Sequence, residues 1–332
     1  MEQLVDIVLL GLLMITGFAI VRMKSLLAVA MLTSIYSLLS ASLFVVLDAV
    51  DVALTEAAIG AGISTILMLA TVALTRDEEK TPRHTPLLPL AVVTVTGAAL
   101  IYGTLDMPHY GDPAAPVHQH AASAYLQDTP GEIGVPNVVT SVLASYRGYD
   151  TLGEVTVIFT AGAGVLALLG YRTRRRNIQG PGIRKLVVLR VIAKLFFPLI
   201  LMFALYVLFH GDYGPGGGFQ AGVIFATGFI LYALAFGLGN AQRVIPHPLL
   251  RIMAVVGVLI YAAVGIEGIL LGGKFLEYGV LADDPVTGQH LGIMLIELGV
   301  GITVAAVMLI IYYGFVSRRD QADNNGHRTR SS

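Results

Sequence analysis

Nine apolar runs, near residues 4–21, 25–47, 52–75, 86–105, 152–170, 186–209, 218–240, 248–272 and 288–314, constrain this chain more than anything else in it. Each is long enough for an α-helix to cross a hydrocarbon core, which takes about 17–25 residues at ~1.5 Å each. In lipid no water satisfies a stray backbone group, so runs of this length predict transmembrane helices. Charged residues make up 13% of the chain, against about 25% in soluble domains. The fold class is therefore all-α, a polytopic integral membrane protein with about nine spans. A net charge of −1 points to no nucleic-acid partner, and the lack of cysteine excludes disulfides, thiolate metal sites and cysteine nucleophiles.

Basic residues choose the orientation. Arg22 and Lys24 follow the first run, Arg76, Lys80 and Arg83 the third, and Arg172 to Lys185 lie between the fifth and sixth. Arg243 follows the seventh run, and Arg318 and Arg319 the ninth, so every basic cluster falls on one side. The other side carries acids such as Asp48, Asp106, Asp150, Asp212 and Asp284, with Arg147 and Lys274 as its bases. This places the N-terminus outside and the C-terminus in the cytoplasm. The basic pair follows the first run rather than preceding it, so that run reads as a retained helix and not a cleaved signal. Residues 106–150 form an external loop with His109, His118 and His120. A solvated loop packed on a neighbouring subunit fits them, with a metal site as the rarer alternative. The polar tail 317–332 reads as disordered, and 173–185 as a basic linker between modules.

Among the ionisable side chains inside the apolar runs, Glu56, Lys194, Glu267 and Glu297 stand out. A charge at membrane depth costs at least ~2.5–3.5 kcal/mol, and such residues usually face other helices or an ion path. Glu56 precedes small residues at 57, 58, 60, 61 and 62, which weaken a helix where π-bulges and hydrated kinks arise. It reads either as a gate on a water file or as a carboxylate bonded in a small-residue interface. Glu154 lies near the outer surface, where simple exposure competes with function. Lys194 lies near the midplane and needs a partner, either Glu56, Glu267 or Glu297 or an acid from elsewhere in a complex. Glu267 and Glu297 are flanked by glycines that permit close helix contact.

Between the sixth and seventh runs lies His210-Gly211-Asp212-Tyr213-Gly214-Pro215-Gly216-Gly217-Gly218-Phe219-Gln220. Its glycines and proline forbid helix and leave backbone groups bare next to a helix start, where an ion could sit. A close-packed hairpin is the plainer reading. The Gly-Lys-Ser/Thr ending of a phosphate loop is absent. His210 is either a titrating group or a hydrogen-bonded structural histidine.

This run, followed by Ile296-Glu297-Leu298-Gly299-Val300-Gly301-Ile302-Thr303-Val304, resembles the B-type component of Mrp-type multisubunit Na+/H+ antiporters, the MnhB domain, over roughly 180–316. Residues 1–80, with Asp51 through Gly62, resemble the MbhD module, and 84–172, with Asp150-Thr151-Leu152-Gly153-Glu154, the MbhE module. The implied organisation is an MbhD-like three-helix module (1–80), an MbhE-like two-helix module (84–172), the linker, and an MnhB-like four-helix module (186–316).

The resemblance implies a subunit of a cation/proton antiporter in the cytoplasmic membrane, exchanging Na+ for H+ and contributing to pH homeostasis. The implied partners are the large A- and D-type antiporter components and those of C, E, F and G type. No enzymatic activity and no cofactor are implied. Glu56 and Glu154 would line an ion path at the junction with the large components, with transient Na+ contact near Glu56. Physical argument adds Lys194, Glu297 and Glu267 to ion translocation. His210, Asp212, Pro215, Gly216, Gly217 and Gly218 are assigned to loop or subunit contact. Two alternatives stand: an ion-translocating module of a membrane-bound hydrogenase or related respiratory complex, and a scaffold subunit without its own ion site.

Overall fold

A computed structural model describes residues 2–75, 77, 87–109, 111–169 and 187–330. Among them, nine helices are long and apolar enough to cross a membrane. They are α1 (Glu2–Arg22), α2 (Leu26–Val46), a composite third span, α5 (Leu87–Thr104), α9 (Gly148–Leu169), α10 (Val187–His210), α11 (Gly218–Phe236), α13 (His247–Leu270) and α14 (Pro285–Arg330). The third span is α3 (Val50–Glu56), a π-helix (Ala57–Ser64) and α4 (Thr65–Val72) in continuous succession. The short helices α6 (Pro116–Gln119), α7 (Ala121–Glu132) and α8 (Val138–Thr140), with a second π-helix (Ser141–Tyr146), lie between α5 and α9. A short α12 (Leu238–Val244) joins α11 to α13, and a 3₁₀ turn (Tyr278–Leu281) precedes α14.

The helix α14 is the hub: α13, α11 and α9 pack on it, and α10 packs on α11. Lipid tails are as apolar as leucine, so close packing and hydrogen bonds, rather than burial from water, hold such helices together. Glycine supplies the closeness. A Cβ on Gly257 of α13 would stand 2.4 Å from the Gly299 carbonyl oxygen of α14, and one on Gly299 would stand 2.7 Å from that of Gly257. Around this crossing Leu250, Tyr261, Ile293, Ile296 and Val304 are buried. Two tyrosines bond across elements. Tyr261 donates to the Gly148 carbonyl at 2.7 Å, and Tyr278 donates to that of Ala144 at 3.0 Å. Burial pushes the Tyr278 hydroxyl up, which keeps it protonated and a donor.

The first three spans form a second unit: α1 packs on α2, and α2 on the third span. This unit meets the hub where the π-helix touches α11 and α4 touches α14. In contrast, α1 and α5 bury none of their apolar stretch within the chain. Serine and aspartate tie the unit together at its far end. Ser25 caps α2 through Ala28 N–H at 3.3 Å, and the Asp77 carboxylate accepts from Leu27 N–H at 2.9 Å.

Two expectations change. Within 106–150 the backbone is not an open loop: Ile133, Val135, Asn137, Thr140, Ser141 and Ala144 are buried against the bundle. Asn137 starts the re-entry, its side-chain oxygen accepting from Val139 and Thr140 N–H at 3.0 and 3.4 Å. Gly134, at φ +77°, brings the chain so close to α14 that a Cβ there would stand 2.3 Å from Val286. The tail also differs: α14 continues to Arg330 where disorder was expected from 317. The linker 173–185 lies outside the described residues.

Candidate functional site

On α14, Thr287, His290, Leu291, Met294 and Glu297 recur at helical spacing and so share one face. With Leu208 and Phe209 of α10 and Gly211, Asp212 and Tyr213 of the following loop, they line a cleft of about 330 Å³. At its mouth His290 Nδ1 stands 3.2 Å from Asp212 Oδ2. Deeper along the stripe is Glu297, half-buried, with Oε2 accepting from the Gly218 N–H that opens α11. A helix N-terminus favours negative charge because its first N–H groups are unpaired. Here the occupant is the protein's own carboxylate, so the glycine run is no open anion cradle. Asp212 and Glu154 are the other acids close enough to act electrostatically on Glu297.

Gly217 and Gly218 are held to glycine by this contact, and Gly216 by the end of α10. Gly217 sits at φ +124°, where a side chain strains the backbone, and its missing Cβ leaves space flanked by Glu297 Oε2 and Gln220 Oε1, each 3.1 Å away. A Cβ on Gly218 would stand 2.0 Å from the Glu297 carbonyl oxygen, and one on Gly216 would stand 2.4 Å from that of Val207. Backbone cannot yield as a flexible side chain can, so the run from Pro215 to Gly218 is held to glycine after its proline.

Glu56 is built differently. It ends α3, and the π-helix begins at the next residue. The wider turn redirects bonds: Thr65 Oγ1 donates to the Gly60 carbonyl at 3.2 Å, and Ser34 Oγ to that of Ala61 at 3.2 Å. A Cβ on Gly60 would stand 2.7 Å from Glu56 Oε1 and 2.4 Å from Ser37 Oγ, so the carboxylate folds back over the π-helix into space that glycine leaves.

Two side chains connect these carboxylate neighbourhoods. Gln220, in the first turn of α11, donates to Thr55 Oγ1 at 2.7 Å. Asn137 donates to Asp51 Oδ1 at 3.1 Å, and to the carbonyls of Gly211 and Gly214 at 3.2 and 2.9 Å. Its own N–H bonds the Asp212 carbonyl at 2.9 Å. One buried asparagine therefore joins the third span, the re-entrant segment and the glycine loop.

The other expected site residues stand apart. Glu154, Lys194 and Glu267 are exposed on α9, α10 and α13. Lys194 has no ion pair with Glu56, Glu267 or Glu297 among the described residues, which leaves the other alternative, an acid from elsewhere in a complex. Pro198, four residues on, also frees the Lys194 carbonyl of its helical bond. The His210 ring stacks on Tyr206 at 4.9 Å and is not among the cleft residues. No cluster of His, Cys, Asp and Glu among the described residues has metal-holding geometry, His109, His118 and His120 included. Sequence reasoning passed over His290, Asn137 and Gln220. The seven-residue spacing of His290 from Glu297 was the available signal for the first.

Membrane helices arranged around two embedded carboxylates, one against a π-helix and one on a helix N-terminus, define a polytopic protein whose polar residues are clustered rather than scattered. Residues 188–310 match the family described as domain related to MnhB subunit of Na+/H+ antiporter. Residues 11–77 match the MbhD family and 83–185 the MbhE family, both described as components of MBH. A chain named as antiporter subunit mnhB2 of Staphylococcus aureus (strain Newman) is 37% identical over 128 residues, 38% of this chain and 90% of that one. The chain belongs to this MnhB family of antiporter subunits. A chain of Rhizobium meliloti (strain 1021), named as the A/B component of a K(+)/H(+) antiporter, is 31% identical over 223 residues. That alignment covers 59% of this chain, which spans only 22% of the relative's length.

Among solved structures, the Mrp complex from Dietzia sp. DQ12-45-1b matches 93% of this chain and 34% of its own, at TM-score 0.74 and 28% identity. The archaeal membrane-bound sulfane sulfur reductase, a respiratory membrane complex, matches 69% of this chain and 96% of its own, at TM-score 0.55 and 33% identity.

Proposed function

We propose that this chain is a membrane subunit of a multisubunit cation/proton antiporter of the cytoplasmic membrane, a transporter component rather than an enzyme. It carries MbhD-like, MbhE-like and MnhB-like modules in one polypeptide, with the N-terminus outside. The N-terminal modules line part of the ion path, and the MnhB-like module holds them against the large components of the complex. The exchanged ions are a monovalent cation, Na+ in this reading, and H+.

The observation that carries the reading is Glu56 at the start of an eight-residue π-helix within a membrane span. π-helices are rare, cost stability and concentrate at functional sites. The carboxylate would take and release a proton or contact the cation as the π-helix shifts. Glu154, exposed on α9, would face the same path completed by a partner chain. Lys194, uncompensated within the described chain, would meet a partner's acid at membrane depth. Glu267 would be a secondary relay or structural acid, and Glu297 the anchored one.

The test is proton flux driven by Na+ or K+ in everted vesicles carrying the full complex, for wild type and Glu56→Gln, with assembly checked by pull-down. Lost flux with intact assembly supports the reading, whereas unchanged flux moves this chain to the scaffold role. The likeness to the sulfane sulfur reductase favours one second reading, an ion-translocating module of a respiratory complex. Redox subunits co-purifying with the chain would decide for it.

A further inference from the structure

We propose that the cleft between α10, the 211–213 loop and α14 is a hydrated proton-access route to Glu297, gated at its mouth by the Asp212–His290 pair. This rests on the antiporter reading for its purpose, though not for its existence. The route follows from one helix face. Thr287 and His290 stand at the start of α14, Leu291 and Met294 below them, and Glu297 lies seven residues beyond His290, about 10 Å along the helix axis.

Leu208 and Phe209 of α10 line the opposite wall. The cleft thus has polar groups at the His290 end, apolar side chains between, and a carboxylate at the Glu297 end. About 330 Å³ is far more than a water needs, and the polar ends supply partners for it. Solvent reaches the gate: the His290 and Asp212 side chains are 32% and 20% exposed. Among the described residues no cluster suits a metal ion, so the cleft is read as a path for protons through water rather than as a coordination site.

The charges around the gate have a consistent sense. Asp212 faces His290 from the loop, Tyr213 lines the same mouth, and Glu297 lies below on the same helix. Glu154 acts on Glu297 from α9. Asp284, at the start of α14, is engaged with Thr287, and Tyr278 of the 3₁₀ turn donates to Ala144. Glu132 of α7 is engaged by Tyr146. No Lys or Arg lines the cleft, so His290 stands between one carboxyl at its mouth and another at its floor. The imidazole, the Asp212 carboxyl and the Glu297 carboxyl thus form a line of proton-exchanging groups leading inward.

The chain contains no cysteine, which makes the route directly testable. Met294→Cys, in the assembled complex in intact cells, is treated with a membrane-impermeant thiol reagent beside Tyr213→Cys at the mouth. The expected result is modification of both from the side bearing the 211–213 loop. Should Met294→Cys fail to assemble, Leu291→Cys carries the same test. Modification of Tyr213→Cys alone overturns the proposal whatever the flux. The second measurement is the pH profile of cation-driven proton flux for His290→Gln and Asp212→Asn. Both are expected to flatten its neutral limb with assembly intact, and unchanged profiles overturn the gate. Labelling of Met294→Cys in the cleft, beside a wild-type complex that shows no antiport, would instead sink the antiporter reading and leave the route standing.

Discussion

Glu297 and Glu56 are two membrane carboxylates held in opposite ways. Glu297 is anchored: its oxygen is bonded to the first N–H of α11, and two glycines, Gly217 and Gly218, let the backbone come against it. Glu56 has no such bond among the described residues and rests on a helix segment whose hydrogen bonding is already loosened. An anchored carboxylate keeps helices in register, while one beside a π-helix can swing as the π-helix moves along the span. The difference teaches that depth in the membrane does not assign a role to an acid. What holds the carboxylate does.

The hardest blow to this contrast is Gly218→Ala. Its new Cβ would stand 2.0 Å from backbone oxygen, so α11 and α14 must part. Overpacking costs about 1–3 kcal/mol and sometimes more, and here the helix-end bond to Glu297 is lost with it. The expected outcome is failure of assembly or a large drop in melting temperature of the purified complex. A normal melt would show the anchor to be dispensable.

Gly60→Ala probes the other carboxylate. The methyl would stand 2.4 Å from Ser37 Oγ and 2.7 Å from Glu56 Oε1, ends of side chains that can move, and 2.7 Å from Ser37 Cβ, which yields only by a small shift of α2. The complex is expected to assemble, with flux cut severalfold because Glu56 is expelled from its niche. Adding Ser37→Gly, which removes the Ser37 contact, is expected to restore part of the flux. Equal thermal damage from Gly60→Ala and Gly218→Ala would erase the distinction between the two carboxylates.

Much of this contrast is legible in the chain, and some is not. The nine spans follow from run length, and the weak point after Glu56 from small residues at 57, 58, 60, 61 and 62, where the π-helix lies. Counting residues gives a side chain its depth but not its azimuth. Lys194, Glu267 and Glu297 therefore read alike from sequence, although the first two face outward and the third inward. Contacts such as Gly218 with Glu297, 79 residues apart, have no local signature. The segment 106–150 misled for a related reason: polar composition looks solvated until a single asparagine finds three partners elsewhere.

Asn137→Leu tests whether the two neighbourhoods are coupled. It leaves the Gly214 carbonyl and Asp51 without this donor, while the Gly211 carbonyl keeps the Thr140 hydroxyl at 2.7 Å. A buried polar group left unpaired costs about 1–3 kcal/mol, so a moderate loss of thermal stability is expected, smaller than for Gly218→Ala. Flux is expected to fall as well, because the Asp51 end of the third span and the glycine loop lose their common tie. Lost stability with normal flux would make the two neighbourhoods independent.

The smallest expected effect lies at the anchored end, where α14 starts. Asp284 Oδ2 accepts from the Thr287 hydroxyl at 2.6 Å and from its N–H at 3.0 Å. These bonds, the hydroxyl's first, hold the carboxyl below its ordinary 3.8. A folded-state value below the unfolded one means the contribution is present above that ordinary value and lost as pH falls through the lowered one. Because Asp284 is fully exposed, solvent screening keeps the contribution small. Melts of Asp284→Asn and wild type are therefore expected to differ slightly near neutral pH and to converge in acid, with Thr287→Val behaving alike. A difference that persists at low pH would show that the contact works through geometry rather than charge. Since Thr287 also lines the cleft, a changed flux profile in Thr287→Val without one in Asp284→Asn would separate its part in the cleft from its part in the helix start.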